Sequence, residues 1–454
     1  MQAVKQRPFY VLSLLVLVYM SSYIDRVIVG VLGQAIKTDL KISDTDLGLL
    51  TGITFVIFYG VLGVPIGRLA DRYNRKWLLT ACLSLWSLMT TLSGLASNFL
   101  HLMLARIGVG IGEAGCTPTA YSQLADLFPP RKRSMAFSIY AAGPPLGILA
   151  GTFGGGWIGQ EFGWRAAMIA VGVPGLLLAV VIALTTSEPP RGQFDGGTPR
   201  EQPEPFMVAL RVFLADKLFL HVMFGMASCA VALYSLSTFA VPFLMRAYDL
   251  NLFVAATLFG LSFGLSGALG AGVGGIITDF AGTRDVRWYA GVPAIGYGVA
   301  GSLLTFALFM NDYRVFTLLF VVGSLFANIA LAPSQAVVLN RLTPRMRASG
   351  SAVMLLAASL AGLGLGPPLT GIISDAVAKR TFSAGEFAIQ CPGGQAIDVA
   401  NAALMAGCKA ASFHGLQIAL ALMVGFYLLA SLIYVLAIRH TAPRPALQLA
   451  AASS

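Results

Sequence analysis

Residues Phe9–Leu32 read FYVLSLLVLVYMSSYIDRVIVGVL, an apolar run longer than the roughly 20 residues a helix needs to cross a bilayer core. Near its far end, an aspartate and an arginine stand side by side as Asp25 and Arg26. The run decides the class of fold. The pair sets the functional question, because charged side chains at membrane depth mark ligand sites, ion paths or proton relays by default. Lys5 and Arg7 precede the run, but it is too long for a signal peptide and no small-residue cleavage pattern follows it promptly. It reads as a first spanning helix.

The rest of the chain agrees. Its 454 residues would otherwise suggest two or three soluble domains, but 57% are hydrophobic and only 11% charged. Mean hydropathy is +0.77. A soluble surface needs far more charge, so the chain is expected to be an integral membrane protein. The net charge of +10 does not point to nucleic acid. The positive residues sit in short clusters between apolar runs, Arg72, Arg75 and Lys76, then Arg131, Lys132 and Arg133, then Arg341, Arg345 and Arg347, as cytoplasmic loops do.

Apolar runs near 9–36, 47–69, 77–97, 99–127, 134–159, 163–185, 216–246, 250–279, 287–310, 313–341, 349–378 and 413–438 predict twelve transmembrane helices in an all-α membrane protein. An even number puts both termini on one side, and the basic clusters make that side cytoplasmic. Residues 187–215 form a linker rich in Pro, Gly and charge, read as a flexible connection between bundles 1–186 and 216–454. A second polar stretch at about 379–412 is expected outside. Cys391 and Cys408 lie there, in an oxidising compartment. A disulfide between them is expected, with free thiols as the alternative because spacing does not fix geometry. Cys82, Cys116 and Cys229 read as packing residues. No CxxC or His-rich cluster occurs, so no metal or cofactor is expected.

Two patterns repeat across the linker. Gly67, Asp71, Arg72, Arg75 and Lys76 are echoed by Gly275, Asp279 and Arg284, and Pro118…Pro129…Ser134 by Pro333…Pro344…Ser349. Two pseudo-symmetric six-helix bundles follow, with a cavity between repeated halves as in alternating-access carriers. Asp71 at a helix end can face a helix N-terminus and nearby arginines, a latch biasing one of two states. Asn74 is read as tolerating a left-handed turn.

These residues carry a resemblance. Gly67–Lys76 resembles the G-x-x-x-D-R-x-G-R-K loop of the major facilitator superfamily, with Asn74 at its second glycine. Arg106-x-x-x-Gly110-x-Gly112 resembles its R-x-x-x-G-x-G. Gly143-Pro144-Pro145-Leu146-Gly147 resembles its helix-five G-P-x-x-G motif, for which close packing is the larger reading and antiport the smaller. Tyr23-Ile-Asp25-Arg26, Asp71-Arg-Tyr-Asn-Arg-Lys76, Val109-Gly-x-Gly-Glu113, Ala125-Asp126-Leu127-Phe128 and Glu188-Pro-Pro-Arg-Gly192 are similar to a bacterial Spinster-like carrier.

With a rise of about 1.5 Å per residue, Asp25 lies about 25 Å from the cytoplasmic end of its helix, Arg106 about 31 Å and Glu113 about 21 Å. Arg106 and Glu113, seven apart, share one face. The resemblance places both helices along the cavity, so a network of Asp25 with Arg106 and Arg26 with Glu113 is expected. Its arginines would hold an anionic headgroup and Glu113 or Asp25 would carry protons; buried ion pairs that only fix packing are the alternative. Tyr23 is a further candidate contact.

The resemblance implies a secondary transporter in a bacterial inner membrane, monomeric and proton-coupled, with membrane lipid around it. Its cargo would be an amphiphilic anion such as a lysophospholipid or sphingosine-1-phosphate. An organic-anion/proton symporter or multidrug-type exporter is the alternative, and a non-transporting sensor a third. No nucleophile–base set or phosphate loop suggests an enzyme.

Overall fold

The structure is a computed structural model that describes residues 7–194, 206–339, 342 and 346–441. Among them the regular structure is helical: α1 (Pro8–Val31), α2 (Gly33–Leu40), α3 (Asp44–Thr51), α4 (Ile53–Arg72), α5 (Arg75–Ser93), α6 (Phe99–Glu113), α7 (Cys116–Leu127), α8 (Pro130–Tyr140) and α9 (Gly143–Thr185). Then come α10 (Phe206–Ala215), α11 (Lys217–Tyr248), α12 (Leu252–Gly282), α13 (Trp288–Leu308), α14 (Tyr313–Leu339), α15 (Arg347–Thr381), α16 (Phe387–Gln390) and α17 (Ala402–Ile438). Ten helical stretches are long and apolar enough to cross a membrane. One of them, Pro130–Thr185, breaks at Gly163, whose φ of 84° and ψ of 163° only glycine adopts readily. The 19-residue α5, less apolar, is long enough to serve as a further span. With the break at Gly163 and α5, the described residues accommodate the twelve spans expected.

Two compact units form. The first comprises Met1–Thr198, Ser235–Gly264 and Leu363–Ala419, and the second Pro199–Tyr234, Leu265–Gly362 and Leu420–Ser454. Within the first, a stripe of small residues on α9 lies against α1. A Cβ on Gly147 would fall 2.5 Å from the Met20 carbonyl, one on Gly151 2.7 Å from Val27, and one on Gly155 would collide with Ile28. Gly143 and Gly147 of the helix-five motif belong to this stripe, beginning with Gly143 against Tyr19. Within the second unit, Tyr297 on α13 stacks on Tyr427 and lies against Tyr434, both on α17.

The linker does not begin as a free tether. Glu188 accepts from Arg75 Nε at 2.5 Å and from the Lys76 amide at 2.9 Å. Arg191 donates to the Ala70 and Tyr73 carbonyls at 2.9 and 2.6 Å, closing the end of α4. Arg75 is buried and also holds Asp126 at the end of α7. Residues 187–194 are thus pinned by ions and orphan helix-end groups. Residues 206–215, expected as linker, are helical as α10. Asn74 has φ −66°, so it makes no left-handed turn; its side chain caps α5 by accepting from the Trp77 amide at 3.1 Å. The side chains of Asp71 and Asp279 lie outside the described residues. Arg284 sits over the Phe280 ring at 4.6 Å.

The polar stretch expected at 379–412 is shorter, because α17 starts at Ala402. Its first turns, AALMAGCKAA, are alanine-rich, and Asn401 caps them through the Leu404 amide at 3.0 Å. Cys391 and Cys408 form a disulfide with Cα atoms 5.6 Å apart, inside a small core of Ala378, Phe382, Phe387, Ala396 and Ala411.

A buried ion cluster ties the first unit together near α2. Asp44 Oδ1 accepts from Lys37 Nζ and Arg246 Nη2, both at 2.7 Å. Its Oδ2 accepts from Arg246 Nη1 at 2.8 Å and Ser374 Oγ at 2.7 Å. Asp375 accepts from the Asp44 and Thr45 amides and so caps α3 from another helix. Burial is the chief influence on Lys37 and pulls its ammonium below the usual lysine range, aided by Arg246 and opposed by Asp44. Replacing Asp44 with Asn strands two buried cations and is expected to cost about 3–5 kcal/mol, read as a large fall in melting temperature. An unchanged melting temperature would remove the cluster from the scaffold.

Candidate functional site

Helical spacing on α1 gathers the first residues of the site. Ser22 and Arg26 are one turn apart on one face, and Asp25 is adjacent. On α6 the seven-residue spacing brings Arg106 and Glu113 to the same side two turns apart. α4 starts afresh at Ile53 after the non-helical Gly52, and presents Phe55 and Tyr59 one turn apart, their rings stacked at 5.4 Å. Gly110 admits α4: a Cβ there would lie 2.8 Å from the Phe55 carbonyl oxygen.

Arg26 Nε donates to Glu113 Oε2 at 2.7 Å, and Ser22 Oγ donates to the same oxygen at 2.8 Å. Glu113 Oε1 is buried without a hydrogen-bond partner among the described residues. Arg106 does not reach the carboxylate of Asp25. Its Nη1 donates instead to the Asp25 backbone carbonyl at 3.3 Å. Asp25 is fully buried, its carboxylate beside the Thr90 hydroxyl with Arg106, Arg26 and Glu113 around it, and neither of its oxygens makes a well-formed hydrogen bond among the described residues.

Aromatic rings supply the rest of the enclosure. Arg26 lies 5.1 Å from the Tyr23 ring, 5.3 Å from Phe55 and 4.9 Å from Tyr59. Arg106 lies 5.4 Å from Phe55. Cations within about 6 Å of a ring face are attracted by its quadrupole. Tyr23 meets Tyr19 edge-on, and Tyr19 stacks on Tyr140 at 4.5 Å. The Arg26 side chain keeps 19% of its surface exposed while that of Glu113 keeps none. Arg106 is 3% exposed.

The four sequence-derived charges therefore come together, with Tyr23 beside them. Ser22, Phe55 and Thr90 were not among the candidates. Ser22 stands one turn before Arg26, a spacing that could have singled it out. Phe55 and Thr90 carry no charge and no motif, and only the packing of α4 and α5 against α6 brings them in. Gly67, Arg72, Arg75, Lys76 and Arg284 lie outside this cluster, as do Pro144 and Pro145.

Comparisons with known proteins place the chain in a family. The Major Facilitator Superfamily profile matches residues 15–301. An MFS-type efflux pump of Mycolicibacterium smegmatis is 32% identical over 378 residues, 82% of this chain and 86% of that one. Protein spinster homolog 1 of Mus musculus is 29% identical over 385 residues, 80% of this chain and 73% of that one. A crystal structure of a bacterial homolog to the human lysosomal transporter Spinster, inward-facing and unoccupied, is 31% identical with a TM-score of 0.85, covering 98% of this chain and 100% of that one. The chain belongs to the major facilitator superfamily, as a Spinster-like transporter with that superfamily's fold.

Proposed function

We propose that the chain is a proton-coupled secondary transporter of an amphiphilic anion, working by alternating access. One observation carries this reading: two arginines and two carboxylates share a membrane-depth site, and both Asp25 oxygens, Glu113 Oε1 and Arg106 Nε are buried without a hydrogen-bond partner among the described residues. Charge so placed costs about 3 kcal/mol per group at a helix centre, which favours a working role over packing. The partly exposed Arg26 is the group that meets a phosphate or carboxylate headgroup first, and the rings around it accept the adjoining apolar chain. Glu113 and Asp25 each keep an oxygen free to take a proton. A lysophospholipid or sphingosine-1-phosphate-like lipid has the required chemistry. Membrane lipid is then both surroundings and source of cargo, and the working unit is a monomer.

Basic clusters between spans support a bacterial inner-membrane setting with both termini cytoplasmic. The latch in Gly67–Lys76 is proposed at Asp71; beside it Arg75 joins Asp126 and Glu188 and would have to release or move with them. The similarity to an efflux pump favours a second reading, a multidrug-type exporter using the same charges.

Flux in proteoliposomes under an imposed pH gradient, with lysophospholipids, small carboxylates and cationic drugs as cargo, separates these readings. Flux of cations alone would defeat the anionic one. Glu113→Gln is expected to abolish gradient-driven flux while exchange without a gradient persists; flux that still follows the gradient would take the proton away from Glu113. Arg26→Ala should weaken binding of an anionic amphiphile at least about tenfold, in line with loss of a charged hydrogen bond. Equal loss for an uncharged analogue would make Arg26 a packing residue.

A further inference from the structure

The Phe55 ring stands within reach of both arginines of the site. Arg26 Cζ is 5.3 Å from its centroid and Arg106 Cζ 5.4 Å. Arg26 has Glu113 as its carboxylate partner. Arg106 has none by hydrogen bond among the described residues: its guanidinium meets one backbone carbonyl, and its Nε is buried without a partner. The Asp25 carboxylate is nearby with both oxygens unfilled. A buried arginine beside an unfilled carboxylate would ordinarily close on it in a forked pair. Here it faces a ring and leaves the carboxylate alone.

We propose that Phe55 is a positioning residue whose electron-rich face substitutes for a counter-anion, holding Arg106 short of Asp25 so that its guanidinium stays available to the anionic headgroup. The inference rests on the anionic reading of this site and deepens it. The ring is placed from two sides. Tyr59 stacks on it one turn along α4, and the missing side chain at Gly110 seats its backbone against α6. Phe55 is 1% exposed, so its interaction with the two cations is desolvated, where ring–cation attraction is strongest. Without the ring, two like charges would share an apolar gap and Arg106 would be drawn onto Asp25.

A leucine fills the same apolar space but has no ring face, and a tyrosine keeps the face. Wild type, Phe55→Leu and Phe55→Tyr are compared in lipid nanodiscs for binding of dodecyl phosphate and of uncharged 1-dodecylglycerol. Wild type is expected to favour the phosphate. Phe55→Leu should lose roughly fivefold to 30-fold in phosphate affinity, matching a desolvated ring–cation interaction, with less than about twofold change for the uncharged probe. Phe55→Tyr should stay within about twofold of wild type on both. Phe55→Met replaces the leucine variant if the latter does not fold. Equal losses on the two probes, or full phosphate affinity in Phe55→Leu, would overturn the role of the ring while leaving the anionic reading in place. A wild type that does not favour the phosphate would overturn both.

Discussion

A charge held out of water must find a counter-charge or an electron-rich surface within a few ångström, and much of this molecule is arranged around that demand. Asp44 meets it completely. Both oxygens are filled, by Lys37, Arg246 and Ser374, and the cluster joins α2, α3, α11 and α15 within one unit. Arg75 does the same at the α4–α5 turn, drawing Asp126 and Glu188 together. Fully satisfied buried networks rigidify what they join.

The site on α1 and α6 meets the demand only in part. Glu113 is bonded through one oxygen, Asp25 through neither, and Arg106 rests on a ring and a carbonyl. Such incompleteness would be a defect in a scaffold. In the proton-coupled anion carrier proposed above, these are the groups that a proton or an anionic headgroup would fill, because each such partner lowers the cost of keeping them buried.

Close backbone approach makes this geometry possible. The glycines of α9 let it lie on α1 where Tyr23, Asp25 and Arg26 stand, and Gly110 seats Phe55 on α6. Side-chain volume at these points would move the charged helices by more than a hydrogen bond tolerates.

Spanning helices and the clustering of the four charges were legible in the sequence, because long apolar runs suit a bilayer and ionisable residues within them are costly enough to seek one another. The seven-residue spacing of Arg106 and Glu113 gave their common face. The start of α17 was misread, since polar residues masked an alanine-rich helical turn, and Asn74 proved to be a helix cap. Tertiary structure alone decided that Arg106 would meet a backbone carbonyl rather than the Asp25 carboxylate, that Phe55 would stand between two cations, and that Asp44 would collect partners from residues as distant as Ser374. Sequence carries the cost of burying a charge, which is local to the residue. It does not carry the identity of the partner, which depends on which helices pack side by side.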